Sequence, residues 1–171
     1  MFYLALTLFS LCQNSNQMAT EIQTATLTLS SPSFSHNESI PTKFTCQGQD
    51  INPAIKIDNI PAGTKSLTLI LDDPDSPTGT WDHWIVWDIS PMEIIQENSS
   101  PGVEGKNSFG KTKYGGPCPG TGEHHYSFRV YALDKTLDLP EGSDKKAVEK
   151  AMKDHVLAQG ELIGLYKKFK E

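Results

Sequence analysis

Asp72, Asp73 and Asp75 crowd three carboxylates into four residues, in the run Asp72-Asp73-Pro74-Asp75-Ser76-Pro77. Carboxylates this close repel one another, so a cation or histidinium nearby would stabilise them. Pro74 and Pro77 stiffen the backbone around them, although Asp and Pro after a strand are also ordinary turn formers. His83 follows, and His124, His125 and Tyr126 come after a glycine-rich stretch. Neighbouring residues of a strand face opposite sides. His124 therefore shares a face with Tyr126, and His125 points elsewhere. With donors from the amides of Gly115 and Gly116, these groups would form a small, partly neutralised anion pocket. Two histidines with two aspartates would equally suit a divalent metal and metal- or histidine-assisted hydrolysis. Spacing leaves both open.

Two further expectations attach to these residues. A rigid, ligand-facing turn is where a cis X–Pro bond, costing ~0.5–1 kcal/mol, is most often kept. At least one of Asp73–Pro74 and Ser76–Pro77 is therefore expected to be cis. An exposed histidine titrates near ~6.5, so phosphate binding is expected to strengthen between about pH 8 and 6 as His83 and His124 gain protons. Gly105 to Thr112 fits the phosphate-loop pattern GxxxxGK[ST] letter for letter. A true phosphate loop lies between a buried strand and a helix. No helix can begin at Tyr114-Gly115-Gly116-Pro117, so nucleotide hydrolysis is not expected.

The elements that must position these side chains are mostly strands. Period-two runs of β-branched and aromatic residues predict strands at Thr26–Ser30, Lys43–Cys46, Ala54–Asp58, Ser66–Leu71, His83–Ile89 and Tyr126–Leu133. One helix is predicted, capped by Ser143 or Asp144, with Val148, Met152 and Val156 on its apolar face and Gly160 as its stop. Lys145, Lys146, Glu149, Lys150 and Lys153 would form its solvated face. Leu162 to Phe169 reads as a last strand. Asn98 to Gly122, rich in Gly and Pro, reads as a functional loop.

The chain has 171 residues, 37% of them hydrophobic, enough for one domain with a real core. Its formal charge of −6 argues against a nucleic-acid partner. Arg129 is the single arginine beside 14 lysines, so an anion site cannot be an arginine cluster. Phe2 to Leu11 is apolar and precedes Cys12. Residues 1–20 therefore read as a secretory or lipoprotein leader, with Cys12 acylated and the protein exported to the envelope, periplasm or medium. The alternative is translation from Met18 and a cytoplasmic protein. Residues 21–171 form the domain. Cys46 and Cys118 could pair in an oxidising compartment and would stay thiols in a reducing one. No CxxC spacing supports a cysteine-based zinc site.

At these residues the chain resembles the phosphatidylethanolamine-binding protein family, also called Raf kinase inhibitor-like proteins, and within it the bacterial and archaeal branch. The likeness rests on Asp73-Pro74-Asp75-Ser76-Pro77, on His83-Trp84 before a buried strand, and on Gly116-Pro117-Cys118-Pro119-Gly120-Thr121-Gly122-Glu123-His124-His125-Tyr126. Ile60 to Leu67 and Phe128 to Leu133 add to it, and it runs from about Thr24 to Lys168. The resemblance implies a β-rich α+β fold: a central β-sheet packed against a smaller sheet, with few peripheral helices. It implies a non-enzymatic protein that binds phosphate or phosphorylated head groups, with no cofactor, no metal and no catalytic residue. Its ligand residues would be Asp73, Asp75, His83, Gly116, His124 and Tyr126. Partners would be a phosphorylated small molecule or phospholipid head group, and a protein kinase or protease that it regulates or inhibits. A protein-interface inhibitor with an incidental pocket is the remaining alternative. Asp82, beside His83, adds a carboxylate near the expected pocket rim.

Overall fold

A computed structural model describes residues 25–169. The expected leader, with Cys12 and Met18, lies outside the described residues. In chain order the strands are β1 (Ala25–Thr26), β2 (Thr28–Ser30), β3 (Glu38–Ser39), β4 (Ile55–Asp58), β5 (Ser66–Asp73), β6 (Trp81–Ile89), β7 (Ile94–Ile95), β8 (Val103–Glu104) and β9 (Glu123–Leu133). Helix α1 (Lys145–Met152) and strand β10 (Val156–Lys167) complete the domain. The large sheet runs β1-β10-β9-β5-β6-β8, with β3 pairing a further part of β10. β2, β4 and β7 form the small sheet. The β-rich, two-sheet architecture is as the resemblance implies.

Alternation along the strands sends one set of side chains between the sheets and the other to the opposite face. Leu67, Leu69 and Leu71 of β5, Trp84 and Val86 of β6 and Tyr126, Phe128 and Val130 of β9 join Ile55 and Ile57 of the small sheet in the main core. Full burial of each such aliphatic side chain contributes about 1.5–3 kcal/mol. The opposite face carries Ile70, Ile85, Trp87 and Leu133, which Val148 and Met152 of α1 cover. β5 is buried on both faces along its whole length, which is why it reads as an apolar run ending in aspartates.

Four local expectations are corrected. Lys43–Cys46 is not a strand: Thr42–Phe44 forms a 3₁₀ turn, closed by the Thr45 hydroxyl donating to the Thr42 carbonyl at 2.9 Å. The helix ends at Met152 rather than near Gly160, because Asp154 takes a positive φ of 66° and Val156 already belongs to β10. Gly160 is instead the point where Leu27 crosses β10. A Cβ there would lie 2.4 Å from the Leu27 carbonyl oxygen. Lys145 is not a solvated helix residue, since its ammonium lies against Asp72 and, at 3.1 Å, against Asp82. Asp144 is the cap, accepting from the Ala147 amide at 2.8 Å.

Candidate functional site

The end of β5 and the starts of β6 and β9 converge, and the β5–β6 turn and the long loop before β9 close over them. Between them lies a cavity of about 200 Å³ lined by Asp73, Trp81, His83, Phe109, Cys118 and His124. Ser76, Pro77 and Thr78 bring the turn to its rim.

His83 reaches this cavity through a break in the β5–β6 ladder. Leu71 pairs with Trp84 and Asp72 with Asp82, so His83 is the extra residue of a β-bulge, a device that re-aims side chains beside functional sites. The bulge swings Asp82 to the helix face, where it meets Lys145, and leaves His83 on the core side. Asp82 thus does not line the cavity, contrary to its expected place at the rim. The freed His83 carbonyl accepts from the Gly115 amide at 3.1 Å and from Asn107 Nδ2 at 3.1 Å. Its ring Nδ1 pairs with the Gly115 carbonyl at 2.7 Å, so Nδ1 donates and Nε2 carries a lone pair. Burial holds the His83 pKa below its ordinary value, outweighing the Gly115 carbonyl and Asp73. The gain of a proton expected of His83 is therefore displaced toward lower pH.

Asp73 organises the turn. Its Oδ1 accepts the Asp75 amide at 2.8 Å, and its Oδ2 accepts His124 Nδ1 at 2.7 Å. Glycine at position 79, with φ of 98°, completes the reversal, and the Asp73–Pro74 and Ser76–Pro77 bonds are both trans. The cis expectation fails because carboxylate capping and a left-handed glycine already turn the chain. His124 Nε2 faces the Thr121 carbonyl at 3.1 Å. Both its ring nitrogens thus meet oxygen atoms, which fixes the ring between the turn and the loop before β9.

Tyr126 stands behind this pair, fully buried, its ring edge-on to His83 with centroids 5.3 Å apart. Among the described residues its hydroxyl meets no partner in hydrogen-bonding geometry, although the Asp73 carboxylate and the Cys118 backbone lie beside it. Burial first, and the Asp73 carboxylate next, push the phenol pKa well up, so it remains a proton donor. Asp75 lies to the side: its Oδ2 accepts the His125 amide at 2.8 Å and His125 Nδ1 at 2.7 Å. These bonds, the backbone one first, hold the Asp75 pKa below the usual carboxylate range.

Gly116 does not offer its amide to the cavity, since that amide donates to Asp50 Oδ1 at 2.6 Å. With the Gly115 amide committed to His83, the expected pair of free glycine donors is not met. Glycine is required at 116 for another reason: a Cβ there would sit 2.3 Å from the Phe44 carbonyl oxygen.

Sequence reasoning missed two residues, Asn107 and Phe109. Asn107, nearly buried, takes the Phe109 and Lys111 amides on Oδ1 and gives Nδ2 to the His83 and Lys113 carbonyls. It thereby fixes the loop that matched the phosphate-loop pattern, and no helix follows. Phe109, 41% exposed, stands edge-on to Trp81 at 5.5 Å and to His83 at 5.3 Å. An aromatic inside a polar, glycine-rich loop was the available signal for it. Cys46 and Cys118, left open from the sequence, are joined as a disulfide with Cα atoms 5.4 Å apart. Among the described residues no three His, Cys, Asp or Glu side chains are grouped to hold a metal ion.

Residues 30–167 match the family model described as phosphatidylethanolamine-binding protein. A UPF0098 protein of Pyrococcus horikoshii is 49% identical over 146 residues, covering 79% of this chain and 74% of its own. Another, from Aquifex aeolicus, is 47% identical over 148 residues, covering 81% and 86%. The crystal structure of a phosphatidylethanolamine-binding protein homologue from Chlamydia trachomatis superposes with a TM-score of 0.81 at 39% identity, covering 86% of this chain and 100% of that one. YbcL of E. coli gives 0.78 at 26% identity, covering 85% and 100%.

Proposed function

The chain belongs to the phosphatidylethanolamine-binding protein family, and from that premise we propose that it is a non-enzymatic binding protein for a phosphorylated small molecule or head group held in the Asp73–His83–His124 cavity. The observation that carries this reading is the Tyr126 hydroxyl, a buried donor without a well-placed partner among the described residues, behind the cavity-lining His83 and beside Asp73. Leaving such a group unsatisfied costs about 1–3 kcal/mol, and a ligand oxygen would relieve that cost. The other groups define what the ligand must offer. Neutral His83 presents a lone pair on Nε2, and Asp73 presents a carboxylate, so both accept. Ser76 and Thr78 hydroxyls at the rim both donate and accept. A phosphate that still carries a proton, or one linked to an amine, supplies donors and acceptors together. Among the described residues no lysine or arginine lines the cavity, so a phosphate there meets hydroxyl and ring donors rather than a guanidinium or ammonium.

Calorimetric titration with inorganic phosphate and with O-phosphorylethanolamine tests the reading. We expect binding of both, and a loss of about tenfold or more, ~1.4 kcal/mol, in Tyr126→Phe or His83→Ala. His125→Ala, which alters only the exposed pair with Asp75, should bind as the parent does. Absence of binding at millimolar ligand, or equal affinity in all the variants, would overturn it.

A further inference from the structure

We propose that the Cys46–Cys118 disulfide is a thiol-exchange site whose reduction opens the ligand cavity; the effect on ligand rests on the binding reading above, the exchange chemistry does not. A second cavity of about 200 Å³ adjoins the first. Both cysteines line it, together with Lys111, Lys113 and Phe109, and Cys118 and Phe109 also line the first cavity. The disulfide is thus part of the wall the two share. Cys46 is exposed and Cys118 half-buried, so the bond is open to reagents from solvent. Across 72 residues of sequence it ties the segment after the 3₁₀ turn to the ligand loop.

Its mechanical role follows from what else holds that loop. Up to Pro117 the loop is pinned by other bonds: the Gly115 amide to His83, the Gly116 amide to Asp50 and the Cys46 amide to the Pro117 carbonyl at 3.1 Å. From Cys118 to Gly122, among the described residues, the further ties are the Thr121 carbonyl on His124 and the Cys118 backbone beside the Tyr126 hydroxyl. A Cβ at Gly120 or Gly122 would meet nothing within 4 Å. The Cys118–Gly122 wall is therefore held laterally by the disulfide and by the same histidine that pairs with Asp73.

The co-reactant is a dithiol. Its thiolate attacks the exposed Cys46 Sγ, the S–S bond breaks, and its electron pair leaves on Cys118 Sγ. Lys111 and Lys113, lining the same cavity, favour that leaving thiolate. The second thiol of the reductant then attacks the mixed disulfide and releases Cys46. The reductant's two protons end on the two cysteines and its two electrons in the cleaved bond, while it becomes a disulfide. Because ligand binding and the intact bond stabilise the same wall, linkage is reciprocal: reduction weakens ligand binding and bound ligand resists reduction.

Dithiothreitol and inorganic phosphate are the probes for the folded protein, with hydrogen exchange followed by mass spectrometry. We expect native-state reduction at millimolar dithiothreitol and exchange at residues 118–122 faster by about tenfold or more, with β5 and β9 amides unchanged. Phosphate affinity should fall by a similar factor, and phosphate should slow the reduction. Cys46→Ser should reproduce the fast exchange without reductant. A bond that resists dithiothreitol in the folded state, unchanged exchange at 118–122, or loss of protection throughout β5 and β9 would each overturn the proposal. If oxidised protein binds no phosphate, the binding reading fails, and the exchange data still decide this one.

Discussion

His83 enters the cavity as a neutral ring, and that has a consequence for stability as well as for binding. Burial lowers its pKa in the folded state, whereas an unfolded chain returns it to about 6.5. Between those two values the unfolded state holds more protons, so stability falls as pH drops below about 6.5 and levels off once pH passes the folded value. The slope from this one group is at most ~1.4 kcal/mol per pH unit. Asp75, also lowered, acts in the same direction but in a more acidic window, below the ordinary carboxylate value. Urea midpoints measured from pH 7.5 to 5 should therefore decline in the parent and flatten in His83→Gln, which keeps an N–H for the Gly115 carbonyl. Parallel curves for the two proteins would show that His83 is not the group responsible. Ligand affinity should not rise through His83 over pH 8 to 6.5, because the ring does not take up its proton there.

The loop before β9 is the element on which the site most depends, and its glycines act by closeness rather than by donating amides. At Gly116 a methyl group would have to displace the Phe44 backbone oxygen, 2.3 Å from where the Cβ would be. Backbone cannot move aside as a side chain can, so Gly116→Ala should destabilise by about 2–3 kcal/mol. It should also perturb the Asp50 contact and the adjoining Cys118. Gly120→Ala, at a position with open space, should cost little, within about 0.5 kcal/mol. Thermal or urea denaturation of the two variants checks the contrast, and equal costs would contradict the close-approach account. The β-bulge at His83 is the matching device on β6. One extra residue separates Asp82, sent to Lys145, from His83, sent to the cavity.

Across the molecule the two faces of the large sheet divide the labour. One face packs the small sheet and ends in the cavity; the other carries a buried ionic cluster beneath α1. Asp72, almost fully buried, accepts from Arg129 and Lys145. Burial pulls the Lys145 pKa down, but the Asp72 and Asp82 carboxylates more than offset this and raise it overall. Removing the shared carboxylate leaves Arg129 without its partner and Lys145 with Asp82 alone, so Asp72→Ala should cost about 1–3 kcal/mol without altering the cavity lining. Calorimetric unfolding with parallel ligand titration checks both halves, and a mild cost would mean that the cluster is well hydrated. Strand period and turn residues made a β-rich fold legible in the sequence, because alternation and φ preferences are local; the two-sheet arrangement came from the family resemblance, and of the expected ligand residues Asp73, His83 and His124 line the cavity. The same locality explains the errors. Val156 kept a helical spacing while lying in a strand, since only pairing with β9 decides between the two. Asp72 and Asp73, adjacent in sequence, serve opposite faces, one in an ion cluster and one in the cavity. The bulge, the commitment of the glycine amides, the trans prolines and the place of the disulfide between two cavities depend on which distant backbone atoms come into contact. Such contacts have no local signature, and tertiary packing alone decided them.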